Sequence, residues 1–331
     1  MTRRRRTGLR FRLEARARHW WYVRTSAPVL LRPLAAVYGR WSADRLGRPP
    51  DTPPVPVIVV GNLTAGGSGK TPVVEALVRD LVDHGHAVAV IARGYGARPP
   101  QRPHRVTVDD TARQAGDEPL ALHRATGVPT WVDPDRAAAL TAAVSAGAEV
   151  VISDDGLQHR ALPRSFELCV IDGRRGFGNG ALLPAGPLRE PIERLATVDA
   201  VLVKAPCRFD MPAGAEPFTL RPTGVRSVAD GSELVPMGQG VDAVAGIADP
   251  DRFFEALDEA GFEVRGHPLA DHAPIDAAWL AGLPGPVVVT GKDAARLPPG
   301  LRDDLYVAGV RAELPSGLLR RIRAHVREFR P

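Results

Sequence analysis

Residues 55–71 read Val-Pro-Val-Ile-Val-Val-Gly-Asn-Leu-Thr-Ala-Gly-Gly-Ser-Gly-Lys-Thr, and the fold follows from them. Val55 to Val60 is a short apolar run of the kind a strand shows when both faces of a parallel sheet are covered. A Gly-rich loop follows at once, and a helical pattern over roughly 71–84 comes after it. A turn that binds phosphate needs small residues, so that backbone N–H groups can converge on oxygens. It also needs a lysine to reach the terminal phosphates and a hydroxyl for Mg²⁺. Gly66, Gly67 and Gly69, then Lys70 and Thr71, supply these parts in order, with Thr64, Ala65 and Ser68 completing the nucleotide loop. Thr64 stands where the general pattern has its first glycine.

Working outward, strands are expected at 87–92, 105–108, 129–132, 149–153, 167–172 and 199–204. Helices are expected at roughly 117–126, 135–146 and 190–196. This alternation predicts an α/β fold, a P-loop NTPase-like doubly wound parallel sheet with right-handed crossovers. The run Val150-Val151-Ile152-Ser153 ends in Asp154 and Asp155. Paired acids at the end of a neighbouring strand can hold Mg²⁺ directly or through water; they can also cap a turn. Beside a P-loop the metal role is favoured, and which of the two touches the ion stays open. Residues 211–240, within a stretch rich in Pro and Gly, read as a hinge after a P-loop domain at 51–210. A smaller α/β domain fills 241–331, with strands at 241–246, 262–266 and 286–290 and helices at 250–260, 275–282 and near 315–328.

The 331 residues are 44% hydrophobic and 24% charged, which is ordinary globular material. Two cysteines cannot form a disulfide framework, and Cys169 lies in an apolar run as a small hydrophobe, so a reducing, cytoplasmic setting is expected. The net charge of +5 is uneven: residues 1–48 hold thirteen arginines against Glu14 and Asp44, a local +11, and the rest of the chain carries −6. Within residues 9–46 the arginines are interleaved with Trp20, Trp21, Tyr22, Leu30, Leu31, Leu34, Val37, Tyr38 and Trp41. Aromatic rings and aliphatic side chains among arginines suit a segment lying on an anionic membrane surface, where each basic residue adds ~1 kcal/mol. The same helix could pack on its own domain. Nucleic acid is the poorer partner, because the body is acidic and the arm is aromatic and aliphatic. No apolar run is long enough to span a bilayer, and Arg10 and Arg12 interrupt what could pass for a signal sequence.

Several runs resemble motifs of the tetraacyldisaccharide 4′-kinases of lipid A synthesis. They include Asn62 to Pro72, Arg93-Gly94-Tyr95-Gly96, Gly116-Asp117-Glu118-Pro119 and Pro134-Asp135-Arg136. Asp154-Asp155-Gly156-Leu157-Gln158-His159, Gly176-Phe177-Gly178-Asn179-Gly180 and Leu183-Pro184-Ala185-Gly186-Pro187-Leu188-Arg189-Glu190 follow, then Ala245-Gly246-Ile247, Asp271-His272 and Lys292-Asp293-Ala294. The resemblance runs in order from about residue 10 to residue 325. It implies a P-loop kinase domain, a smaller C-terminal domain, an N-terminal helix docked on the inner membrane, and ATP with Mg²⁺. The reaction implied is transfer of the γ-phosphoryl of ATP to the 4′-hydroxyl of a tetraacylated glucosamine disaccharide 1-phosphate. By resemblance, Asp117 is the base for that hydroxyl, paired with His272 from the second domain, so that domain closure completes the site. Arg93, Arg136 and Arg189 are candidates to hold phosphate, and Tyr95, Glu118, His159 and Glu190 to line the cleft. Gly291 departs from the family, which usually has Glu there; Arg3–Arg6 lies outside the pattern.

A contrasting reading is a P-loop ATPase or GTPase switch that hydrolyses nucleotide with no lipid acceptor. It has no use for Asp117, His272 or the Trp-rich arm. The expected setting is cytoplasmic and peripheral on the inner membrane, with a lipid-linked disaccharide as partner and no obligate protein partner.

Overall fold

A computed structural model of the protein describes residues 20–23, 26–44, 52–247, 249–270, 273–298 and 300–331. After helix α1 (Arg32–Asp44), the first domain runs β1 (Val57–Gly61), α2 (Lys70–Asp83), β2 (Val88–Ala92), β3 (His104–Arg105), α3 (Ala112–Ala115), α4 (Asp117–Thr126) and β4 (Thr130–Val132). It continues through α5 (Arg136–Ser145), β5 (Val150–Asp154), β6 (Phe166–Asp172) and β7 (Ala200–Lys204). Then come β8 (Glu216–Ser227), β9 (Gly240–Ala245), α6 (Pro250–Glu259), β10 (Glu263–Pro268), α7 (Ala277–Ala281), β11 (Val287–Thr290), α8 (Gly291–Ala294), β12 (Leu305–Glu313) and α9 (Ser316–Glu328).

The strands form one sheet in the order β10-β9-β11-β12-β8-β7-β6-β1-β5-β2-β4-β3. All neighbours are parallel except β12 with β8 and β3 with β4. The expected doubly wound α/β architecture is therefore present. Every residue of β1, β2, β5, β6 and β7 is buried, because helices cover both faces. On one face Val73, Val74, Leu77, Val78 and Leu81 of α2 pack against Ile58, Val60, Val90 and Ile152. On the other, Ala139, Leu140 and Ala143 of α5 meet Val57, Val59, Ile91 and Val151. Cys169 lies in this second core, where burial pushes its thiol up to about 12. It is a hydrophobe, as its apolar neighbours in sequence suggested.

Two features depart from the sequence reading. Residues 211–240, read as a hinge, contain β8, whose first part pairs with β7 and whose remainder pairs with β12. One sheet thus runs through both parts of the chain, with this strand common to them. Pro217, Pro222 and Gly224 disguise it, since they fall where the ladder is irregular or at its margins. The closing helix α9, assigned to the smaller domain, instead adds Leu318, Ile322 and Val326 to the core around α2. Its apolar stripe at i, i+4, i+8 needs a partner face, and β12 delivers the chain beside α2. The helix expected over 190–196 is a 3₁₀ segment, Ile192–Thr197.

Candidate active site

The register of the sheet sets the geometry. Val60, one residue from the end of β1, sits opposite Asp154 of β5, so the Gly-rich loop and the paired acids leave the same sheet edge. Gly69 has φ +88° and precedes α2 directly, a left-handed turn for which glycine is the favoured residue. The N–H groups of Gly66, Gly67, Ser68 and Gly69 find no acceptor among the described residues, and the buried Ser68 hydroxyl also has no partner there. Such a cradle of unsatisfied donors at a helix start suits phosphate oxygens. Lys70 Nζ donates to Asn62 Oδ1 at 3.2 Å and lies 3.5 Å from Asp155 Oδ1. Asn62 in turn donates to Gly66 O at 3.3 Å, so a single amide ties the loop to its lysine. Thr71 follows on the first turn of α2.

The two acids are in opposite electrostatic states. Asp154 is buried and its Oδ1 lacks a partner among the described residues. Burial first, then Glu118, raise its carboxyl to about 7 against the pull of Lys70. Asp155 has φ +49°, a conformation that aims its side chain back over the loop. Burial alone would raise its carboxyl, but Lys70 and Arg189 outweigh it and hold it well below the usual range. Arg189 Nη1 donates to both Asp155 oxygens at 3.1 and 2.9 Å and to Gln158 Oε1 at 3.3 Å. A buried acid raised toward neutrality, with a free oxygen, is the donor a divalent cation would relieve. With the Thr71 hydroxyl and the neighbouring Asp155, the oxygen set fits Mg²⁺, which keeps several waters and takes few protein ligands. Among the described residues no group of three or more His, Cys, Asp or Glu is arranged to hold a metal ion.

Arg136, expected to hold phosphate, is instead buried beneath this turn. It donates to Ser153 Oγ at 3.2 Å, Asp154 O at 2.8 Å and Asp155 O at 3.4 Å. Burial pushes its guanidinium down to about 10 despite the two acids. Asp135 places it by capping α5, accepting from the N–H groups of Ala137 and Ala138. Glu190 is also no cleft residue, being buried and paired with Arg160 at 3.0 Å and Arg194 at 3.3 Å. The adjacent Arg164 and Glu167 extend that ionic cluster. His159 Nε2 donates to Pro134 O at 3.2 Å, and burial together with Arg136 lowers its pKa.

A third group comes from α4 and the smaller domain. A side chain at Gly116 would meet the Cα of Gly94 at 3.3 Å, so two backbones touch and bring the Arg93–Gly96 loop against the start of α4. Arg93 and Tyr95 are exposed there. Arg93 has no hydrogen-bond partner among the described residues and is near enough to Arg136 to oppose its charge. Asp117 Oδ2 accepts from Arg296 Nε at 3.0 Å and Nη2 at 2.7 Å, and Glu118 pairs with Lys292 at 3.0 Å. Glu118 also raises Asp154, so the start of α4 lies near the acid turn. His272, expected to pair with Asp117, lies outside the described residues.

On the far flank, the aromatic segment meets the loop from a different side. Asn179 N donates to Trp21 O at 2.7 Å, Trp21 Nε1 to Pro184 O at 3.2 Å and Tyr22 Oη to Ala65 O at 3.4 Å. A side chain at Gly178 would sit 2.4 Å from Trp21 O, which is why a glycine is needed at that position. Sequence reasoning left Asn62, Gln158 and Arg296 without roles. Asn62 and Gln158 stand inside quoted motifs and could have been marked as polar residues beside a phosphate loop. Arg296 reaches across 179 residues to Asp117, and no local signal foretells that.

The family model described as tetraacyldisaccharide-1-P 4′-kinase matches residues 27–327. The tetraacyldisaccharide 4′-kinase of Pseudomonas entomophila is 44% identical over 308 residues, spanning 89% of this chain and 91% of that protein. That of Pseudomonas aeruginosa is 46% identical over 288 residues, 83% and 86% of the two chains. A crystal structure of LpxK from Aquifex aeolicus in complex with ATP is 25% identical, with a TM-score of 0.74 over 89% of this chain and 98% of that one. Similarity of this extent along nearly the whole chain shows that the protein belongs to the tetraacyldisaccharide 4′-kinase family.

Proposed function

We propose that the protein transfers the γ-phosphoryl group of ATP to the 4′-hydroxyl of a tetraacylated glucosamine disaccharide 1-phosphate. The observation that carries this reading is a phosphate loop whose Lys70 lies beside Asp155, with Glu118 near enough to raise Asp154 and the preceding Asp117 held by Arg296, in a chain of this family. A nucleotide switch would need the phosphate loop and the acids but no carboxylate held ready for an acceptor.

Bound Mg²⁺ would neutralise phosphate charge during transfer. The chain's own part is mostly positioning. Gly66 to Gly69 offer N–H groups to phosphate oxygens, and Lys70, oriented by Asn62, carries the cationic contact. Thr71, Asp154 and Asp155 are the candidate metal ligands. Arg189, fixed on Asp155 and Gln158, keeps positive charge beside the migrating group. Asp117 accepts the proton of the sugar hydroxyl, which is too weak an acid to lose it unaided. Arg93 and Tyr95, exposed on the adjoining loop, are placed to meet the polar part of the lipid.

That lipid lies in a membrane, and the N-terminal region suits such a surface. Val29, Leu30, Leu34, Val37 and Trp41 are exposed, Leu30 by 90%. No helix among the described residues is long and apolar enough to cross a bilayer. We place the enzyme on the cytoplasmic face of the inner membrane, held by this apolar face and the surrounding arginines. Leu30→Glu with Leu34→Glu is expected to lower co-sedimentation with anionic vesicles at least about tenfold, since each lost apolar insertion is worth ~1.5–3 kcal/mol. Unchanged partition would remove this face from the docking surface.

The central test is transfer of labelled γ-phosphate from ATP to tetraacyldisaccharide 1-phosphate in mixed micelles. Label should appear on the lipid and stay absent when the 4′-hydroxyl is blocked. ATP hydrolysis with no labelled lipid would leave the phosphate loop standing and sink the acceptor assignment.

A further inference from the structure

Arg296 uses all of its donors. Nη1 donates to Ala273 O at 3.2 Å and to Asp293 Oδ1 at 3.2 Å, and Nη2 approaches Gly246 O at 3.5 Å. These three partners belong to the smaller domain. The remaining donors, Nε and the other Nη2 hydrogen, both go to Asp117 Oδ2 in the first domain. The pair is nearly closed to solvent, with the Arg296 and Asp117 side chains 9% and 12% exposed.

Behind Arg296 stands a second layer. Asp293 is fully buried and accepts from Gly246 N through both oxygens, at 3.2 and 3.1 Å, and from Thr290 Oγ1 at 2.7 Å. Gly246 has no room for a side chain, because a Cβ there would sit 3.0 Å from both Arg296 Nη1 and Asp293 Oδ1. The Ala245-Gly246-Ile247 and Lys292-Asp293-Ala294 runs, which have no part in the phosphate site, thereby acquire one. They build a rigid seat from which a single guanidinium reaches across the domain boundary.

We infer that Arg296 is a positioning residue for phosphoryl transfer, holding the Asp117 carboxylate in its working orientation from the opposite domain. Two guanidinium donors converge on one carboxylate oxygen and fix where it sits. Oδ1 in turn takes the Glu118 N–H at 3.1 Å, so the carboxylate plane is held through both of its oxygens. In phosphoryl transfer nearly all of the protein's contribution is placement, and a misplacement of about 1 Å can cost on the order of a hundredfold. Docking of the smaller domain and readiness of Asp117 then become one event.

This assignment rests on Asp117 acting as proposed above, and the experiment separates the two. The lipid kinase assay would compare wild type, Arg296→Gln, Arg296→Lys, Asp117→Asn and the Arg296→Gln/Asp117→Asn double variant, with KM for ATP and the urea midpoint measured for each. Arg296→Gln is expected to lower kcat roughly 30- to 100-fold with KM for ATP changed less than about twofold. Arg296→Lys should recover part of that loss, and the double variant should be no slower than Asp117→Asn alone. If Arg296→Gln lowers the urea midpoint but leaves kcat intact, Arg296 is only a latch and the inference fails while Asp117 stands. Losses that multiply in the double variant overturn it as well. If Asp117→Asn is as fast as wild type, the proposed base falls and takes Arg296 with it. Should Arg296→Gln not fold, Gly246→Ala displaces the guanidinium by a few tenths of an ångström and is expected to slow kcat several-fold; unchanged kcat there overturns the inference.

Discussion

Asp154→Asn is expected to slow phosphoryl transfer by about three orders of magnitude and, in the same protein, to make the nucleotide-free fold more stable above pH 7. The two effects have one cause. Asp154 is buried at the end of β5 with an oxygen that no described residue satisfies, and its carboxyl is raised from 3.8 to about 7 by burial and by Glu118. A carboxylate whose folded pKa lies above its unfolded value binds a proton more tightly in the native state. Stability therefore falls as pH rises from about 4 to about 7, and the full cost persists above that. At ~1.4 kcal/mol per unit, the cost is roughly 4 kcal/mol. Asparagine keeps the shape and has no charge to bury, so its urea midpoint should lack this decline. It also supplies only a neutral ligand where the proposed site needs an anionic one, and loss of a buried charge stabiliser at a phosphoryl centre is worth about 3–4 kcal/mol of barrier. Urea titrations between pH 4 and 8 without metal, beside the kinase assay, check both halves. Parallel stability curves would show that Asp154 is not a strained acid, and undiminished transfer would remove it from the metal site.

This trade of stability for function explains which parts of the molecule could be read in advance. The strands of the first domain declare themselves because parallel strands covered on both faces are built from apolar runs, as Val57–Gly61 and Val88–Ala92 are throughout and Val150–Asp154 is up to Ser153. Asp154 was legible for the same reason in reverse, as an acid at the end of such a run. The shared strand β8 was not, since it pairs with β7 at one end and β12 along the rest, and carries prolines at 217 and 222 with Gly224 at the irregularity opposite β12. Helix α9 shows an apolar stripe that could fit either core, and only the path of β12 selects the first. In the site, the Gly-rich loop is local and was visible. Arg296 is not local. Its meaning depends on a partner in another domain, and sequence spacing carries nothing about that.

Arginines show the limit most sharply, because one side chain can hold a ligand's phosphate or the protein's own carbonyls. Arg136 looked like the first and does the second, donating to Ser153, Asp154 and Asp155 from a buried position. Arg136→Met is expected to destabilise the protein by about 3–5 kcal/mol, the usual penalty for removing one partner of a buried charged network. Ser153 Oγ and two backbone carbonyls lose their donor, and the acid pair loses a compensating charge. Asp154 should then protonate at still higher pH, so whatever transfer survives should require more alkaline conditions and more Mg²⁺. A residue that bound substrate phosphate would behave differently: its loss would raise KM for the lipid or ATP while leaving the urea midpoint and the Mg²⁺ requirement near wild type. Measuring the midpoint and the Mg²⁺ titration together decides between them. A stable Arg136→Met protein with only a weakened KM would return Arg136 to the phosphate. A destabilised one with a shifted metal requirement would mean that the acid turn holds its shape because a buried arginine supports it from below.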